Sequence, residues 1–245
     1  MKIEKLLLAL LVVATTAVPL PAAWAAGGPE TILRASVNLR DALSLQRGAH
    51  LFVHYCMGCH SANFMRYNRL TDIGLTEQQI RDFLLFTTDR VGSTMSIPMR
   101  PADAKEWFGK TPPDLSVIAR SKRPDYLYSL LMTYYVDDSR PLGWNNLQYP
   151  DIGMPHPFWQ LQGNQRLEGA GEGAAGPKRV VLDQPGTMTE IEYRQAVTDL
   201  VNFLVYMGEP GQVNRVRIGI LVMFFLTVAL VLVVLLKREF WRDVH

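Results

Sequence analysis

Cysteine is scarce in this chain, with Cys56 and Cys59 as its only two in 245 residues. A small exported domain stabilised by disulfides carries several cysteines spread along its length. A bridge between positions this close would close no long loop, so a disulfide scaffold is excluded. An excess of charge of one sign is also missing, the formal net charge being +2. Seven of the 25 lysines and arginines lie near the ends, at positions 2, 5, 215, 217, 237, 238 and 242, with three of the 23 acids at 4, 239 and 243. What remains is 18 basic against 20 acidic residues, which argues against a nucleic-acid surface. There is no internal repeat and no glycine-rich phosphate loop, so repeat and nucleotide-binding architectures are set aside as well.

What the chain does have is Cys56-Met57-Gly58-Cys59-His60. C-x-x-C alone also reads as a redox dithiol or half a zinc site. A histidine directly after the second cysteine changes the reading, because C-x-x-C-H is the attachment signature of a c-type haem. Two thiols on a turn can reach the two vinyl groups on one porphyrin edge, and His60 then lies under the iron as proximal ligand. Both cysteines are spent on one cofactor, and the motif occurs once, so one covalent haem c is expected.

The two ends of the chain supply the context. Lys2 and Lys5 precede the apolar stretch Leu6–Val18, and Ala23-Trp24-Ala25 fits a small-x-small cleavage site, so residues 1–25 read as a signal peptide. Haem c is attached outside the cytoplasmic membrane, so export and the haem motif support each other. At the other end, Ile218–Leu236 is uncharged and flanked by Arg215, Arg217, Lys237 and Arg238. Its length nearly matches the roughly 30 Å hydrocarbon core. The expected organisation is a periplasmic haem domain over 26–214, a transmembrane anchor over 215–237 and a cytoplasmic tail over 238–245. The chain would thus cross the inner membrane once.

Between the ends, periodicity predicts a mostly helical domain. Ser44–Tyr55 reads as a helix running into the haem motif, and Gly48 within it either admits a close helix neighbour or is merely tolerated. Thr76–Gln79 is a capping box opening a short helix with Ile80, Phe83 and Leu84 on its apolar side. Residues 88–113, with four prolines, read as a long loop. Asp114–Arg120 suggests a short helical turn, and Pro124 suits the first position of a helix reaching about Tyr135. Ser139–Gly186 is rich in glycine and proline, with a short strand at Val180–Leu182 and a low-complexity loop at Gly169–Gly176. Thr189–Glu192 is a second capping box, opening a helix over 190–207 that Gly208-Glu209-Pro210 stops.

A carrier haem needs both axial positions filled, and methionine opposite histidine raises the potential. Of ten methionines, Met99 and Met154 lie in proline-flanked loops that would present a thioether rigidly. His156 competes within the second loop. The residues leave this choice open.

Several runs together resemble the cytochrome c1 family, in its proteobacterial form: Cys56–Ser61, Met65–Leu70, Pro112–Ser116, Asp125–Tyr135, the Met154 loop, and Asp199–Leu204 leading through Glu209-Pro210 to the anchor. These are the haem subunits of ubiquinol–cytochrome c oxidoreductase, the cytochrome bc1 complex. The resemblance implies a mainly α, class I c-type cytochrome-like haem domain with long loops, plus one C-terminal transmembrane helix. It implies Met154 as distal iron ligand beside His60, Arg120 paired with a haem propionate, and Tyr126 near the haem. It also implies one-electron transfer from a Rieske iron–sulfur protein to a soluble or membrane-attached cytochrome c, beside cytochrome b in a dimeric complex embedded in membrane lipid. The runner-up function is a membrane-anchored cytochrome serving an oxidase or reductase. One departure touches the docking surface rather than the haem site. Mitochondrial members carry asparagine and glycine before the Pro-Pro-Asp-Leu-Ser run and a strongly acidic segment; here Trp107–Thr111 precedes that run, and the acidic segment is scarcely present.

Overall fold

The computed structural model describes residues 33–169 and 178–244. The expected signal peptide and most of the Gly169–Gly176 loop lie outside the described residues. Helix α1 (Ala42–Leu51) starts earlier than periodicity suggests, because Asp41 caps it by accepting from the Ser44 N–H at 3.0 Å. It continues into a π-helical turn, Phe52–Cys56, that ends on the first cysteine of the C-x-x-C-H motif. Strand β1 (Ala62–Arg66) and a 3₁₀ segment (Tyr67–Ile73) follow, then α2 (Glu77–Phe83) with both halves of its capping box formed.

The expected loop over 88–113 contains β2 (Thr94–Met95), paired antiparallel with β1, and a helix α3 (Pro101–Phe108). Proline there begins a helix instead of breaking one. Pro101 occupies the first turn, where its missing N–H costs nothing, and Gly109 ends the helix at φ +75°. Helix α4 (Ile118–Lys122) stands in for the predicted turn. Helix α5 (Pro124–Met132) stops short of Tyr135, because Tyr134 opens the hairpin of β3 (Tyr134–Val136) and β4 (Trp144–Asn146). A one-turn α6 (Trp159–Gln162) leads to the antiparallel pair β5 (Gly163–Glu168) and β6 (Arg179–Pro185), and β6 includes the predicted Val180–Leu182 strand.

Helix α7 (Glu190–Gly208) opens with the predicted capping box and carries the domain's central contact, against α1. Phe52 meets Phe203 at 5.6 Å between ring centroids, inside a core that includes Leu45, Ala49, Leu200 and Leu204. Gly48 is where the backbones meet: a Cβ there would stand 2.1 Å from the Asp199 carbonyl oxygen. Beside that contact Asp199, 1% exposed, accepts from Ser44 Oγ, Arg47 Nε and Gln195 Nε2 at 2.6–2.9 Å. The buried carboxylate is thereby satisfied. The last long helix, α8 (Gln212–Phe240), encloses the predicted apolar run; its best 18-residue window has mean hydropathy 3.2 and is not buried. At 1.5 Å per residue it is long and apolar enough to cross a membrane.

Candidate haem site

The haem motif hangs from the end of α1. Met57 N–H donates to the Phe52 carbonyl at 3.0 Å, closing the π turn, and the N–H groups of Cys59 and His60 both donate to the Cys56 carbonyl, at 3.1 and 2.9 Å. Met57 turns inward and is buried, its sulfur 3.8 Å from the Tyr67 hydroxyl. With that side chain committed to the core, Cys56 is left half-buried and Cys59 exposed, both as free thiols. Burial pushes the Cys56 thiol up to about 12, with the neighbouring Cys59 adding to the effect, and burial raises Cys59 as well. A redox dithiol depends on an easily formed thiolate. This pair has the opposite tendency.

His60 is buried, and Pro113 fixes its ring. Its Nδ1 lies 2.7 Å from the Pro113 carbonyl oxygen, which can only accept, so Nδ1 carries the proton and Nε2 presents a lone pair. Burial lowers the imidazole's proton affinity, partly offset by that bond to Pro113, so the neutral, ligand-competent form is favoured. The segment carrying Pro113 is itself tied to the residues following His60. Leu115 N–H donates to the Ser61 carbonyl at 2.8 Å, Asn63 N–H to Asp114 Oδ2 at 2.8 Å, and Phe64 N–H to Ser116 Oγ at 3.0 Å. Pro113 is a positioning residue with no signal in the motif's spacing, since its contribution is a backbone carbonyl from 53 residues away.

Burial sorts the methionines. Met57, Met65, Met95, Met132 and Met207 are core residues, while Met99, Met154 and Met188 are half-buried. The loop carrying Met154 is fastened beside the attachment turn by the aromatic residues that follow it. Phe158 packs on Tyr55, the neighbour of Cys56, at 5.0 Å. His156 stacks on Tyr134 at 4.6 Å with rings 6° from parallel, and Trp144 meets it edge-on at 5.2 Å. His156 is held neutral, with burial lowering it to about 4, and its Nε2 is buried without a hydrogen-bond partner among the described residues. The Tyr134 hydroxyl is buried without a hydrogen-bond partner, and its raised pKa reflects burial first, then Tyr126 and Cys56 nearby. Tyr126 is buried, and Lys122 Nζ lies 5.8 Å above its ring. Arg120 is exposed on α4, its stem alongside Gly208 at the end of α7, where an added Cβ would meet its Cγ at 3.4 Å.

The donor set suits a covalently held haem. Two neutral thiols share one turn with an imidazole whose outer nitrogen is engaged, and a thioether loop and an unpaired tyrosine hydroxyl lie alongside. The profile of the Cytochrome C1 family matches residues 35–244. The chain is 49% identical over 212 residues to a Nitrosomonas europaea protein named ammonia monooxygenase gamma subunit, covering 86% of this chain and 88% of that one. It is 45% identical over 226 residues to cytochrome c1 of Allochromatium vinosum, covering 90% and 93%. A solved chain of a hyperthermophilic respiratory Complex III aligns over 99% of this chain and 100% of its own, with TM-score 0.46 and 15% identity. That last likeness is too loose to bear on function.

Proposed function

The chain belongs to the cytochrome c1 family, and we propose that six of its residues hold the covalent haem c that members carry. The chain is a membrane-anchored electron-transfer subunit of a respiratory bc1 complex. When bound, haem c supplies a reversible one-electron couple. Cys56 and Cys59 tether it through thioethers, and His60 ligates through Nε2. The Nδ1–H bond to Pro113 fixes the tautomer and raises the basicity of the ligating nitrogen. Met154 would hold the iron through its thioether, which favours the ferrous state. Arg120 pairs with a propionate by a charge-assisted hydrogen bond, and Tyr126 lines the pocket.

The chain serves quinol–cytochrome c reductase as a carrier and has no quinol site of its own. Cytochrome b and the Rieske protein are its partners in the complex. A soluble or membrane-attached cytochrome c takes the electron onward, and the complex is a dimer. The haem domain faces the periplasm, and residues 238–245 are cytoplasmic.

The observation that carries this reading is the buried, neutral His60, oriented by Pro113 directly after two thiols. A second reading is an anchored cytochrome serving an oxidase or reductase, and the name of the Nitrosomonas relative, a monooxygenase subunit, favours an assembly other than a bc1 complex. Purifying the membrane complex separates the two. Co-purification with cytochrome b and an iron–sulfur protein is the expected result; enrichment with a terminal oxidase and no cytochrome b would overturn it. For the ligand assignment, Met154→Leu should retain covalent haem in a pyridine haemochrome assay. It should lose the weak charge-transfer band of methionine-ligated ferric haem and titrate at a lower potential. Each 30 mV of lowering costs about 0.7 kcal/mol for one electron. If Met99→Leu lost the band while Met154→Leu kept it, the loop around 96–101 would be the ligand loop.

A further inference from the structure

The segment between β4 and Met154 has no helix or strand of its own, and side chains supply most of its hydrogen bonds. Asp151, three residues before Met154, has φ +60°, one of two positive values at non-glycine positions among the described residues. That conformation is disfavoured for any side chain, although aspartate and asparagine tolerate it best. Three hydrogen bonds hold it. Asp151 N–H donates to Asn145 Oδ1 at 2.8 Å, its Oδ1 accepts from Arg140 Nη1 at 2.9 Å, and its carbonyl accepts from Arg140 Nη2 at 3.2 Å. Arg140 comes from the turn joining β3 to β4, and Asn145 is braced in turn by donating to Asp137 Oδ2 at 2.8 Å.

We infer that Arg140 is a positioning residue for the axial ligand: by gripping both the carboxylate and the carbonyl of Asp151, it keeps the left-handed bend that presents Met154 to the iron. This rests on the reading of Met154 as distal ligand. The ion pair by itself would contribute little, because the Asp151 side chain is 73% exposed and exposed pairs are weak. The contact that matters is the one to the carbonyl. Arg140 is only 30% exposed, and its rigid planar fork spans two acceptors on one residue, which an ammonium group on a flexible stem holds with less geometric definition. Ile152, the next residue, is buried, so rotation at Asp151 is transmitted to Met154 instead of being absorbed in solvent. A ligand presented in only a fraction of the population binds more weakly by that fraction. Loosening the clamp therefore weakens the thioether bond and lets an external ligand compete.

The test is an imidazole titration of the ferric haem in the purified membrane complex, beside a redox titration. Arg140→Gln is expected to bind imidazole about tenfold more tightly, the scale of losing hydrogen bonds from a charged group. Its midpoint potential should fall while its haemochrome yield stays at the wild-type level. Arg140→Lys should shift the same way by a smaller factor, and decides the matter if the glutamine variant accumulates no holoprotein. Asp151→Asn, which keeps an acceptor oxygen and tolerates the bend, should stay near wild type. Wild-type imidazole affinity and potential in both arginine variants, with Met154→Leu lacking its band, would overturn the clamp alone. Met154→Leu retaining its band would overturn the ligand reading and the clamp with it.

Discussion

Residues 42–60 approach the haem site along helical backbone, whereas residues 140–158 approach it through side-chain hydrogen bonds and ring stacking. The first region is welded to α7 by close apolar packing, with no room for a methyl group at Gly48. The second leans on Asn146, whose Oδ1 accepts from the Gln148 and Tyr149 N–H groups at 2.9 and 3.0 Å and whose Nδ2 donates to the Leu130 carbonyl at 2.7 Å. Close packing defines one arrangement and tolerates little change. A hydrogen-bonded loop can open locally at much lower cost than the whole domain. In the proposed reading, the covalent side of the cofactor would rest on the rigid region and the exchangeable thioether on the adjustable one. Potential and ligand exchange can then vary without disturbing attachment.

The sharpest way to break this contrast is at the covalent side. Cys56→Ala or Cys59→Ala should abolish normal holoprotein, because the cofactor supplies apolar interior and binding only to the folded state stabilises it. Haem staining of membranes checks this, and normal levels of folded, haem-free chain would contradict it. Next in size is Gly48→Ala. An added Cβ would lie 2.1 Å from the Asp199 carbonyl oxygen and 2.7 Å from Phe203 Cβ, so the two helices must separate. A loss of about 3 kcal/mol, at the top of the usual overpacking range, is expected, read as a lower melting temperature. A variant melting like wild type would show that the α1–α7 contact is not rigid. Smaller again is Asn146→Ala in the other region, at about 2 kcal/mol for buried partners left unsatisfied. Its expected signature is a weakened methionine band in the folded protein at temperatures where wild type keeps it. Equal loss of the band and of the global fold would show that the loop does not open separately.

The elements legible in the residues are those with a local cause. Both capping boxes form, at Thr76 with Gln79 and at Thr189 with Glu192. The apolar run at the C-terminus is one long helix, and the haem motif lies at the end of a helix as its spacing implies. Proline is an ambiguous mark over 88–113, because Pro101 opens α3 where a run of prolines suggests a loop. The hairpins were missed because β3 and β4 have three residues each, too few to show an alternation. Gly48 was ambiguous in one dimension; only the approach of α7 explains why a side chain is excluded there.

By itself the amino-acid sequence determined the cofactor class and marked the two thiols and the histidine that we propose hold it, because those groups are neighbours on one turn and the motif is a matter of spacing alone. It also determined the helix starts and the membrane-length helix, which follow from capping and hydropathy within a few residues. The tertiary structure alone decided that Pro113 sets the His60 tautomer, that His156 stacks on Tyr134, and that Arg140 holds Asp151. Each of these joins groups from different elements by a hydrogen bond or a ring contact, often through a backbone carbonyl. A carbonyl is common to every residue, so no residue type marks it in advance.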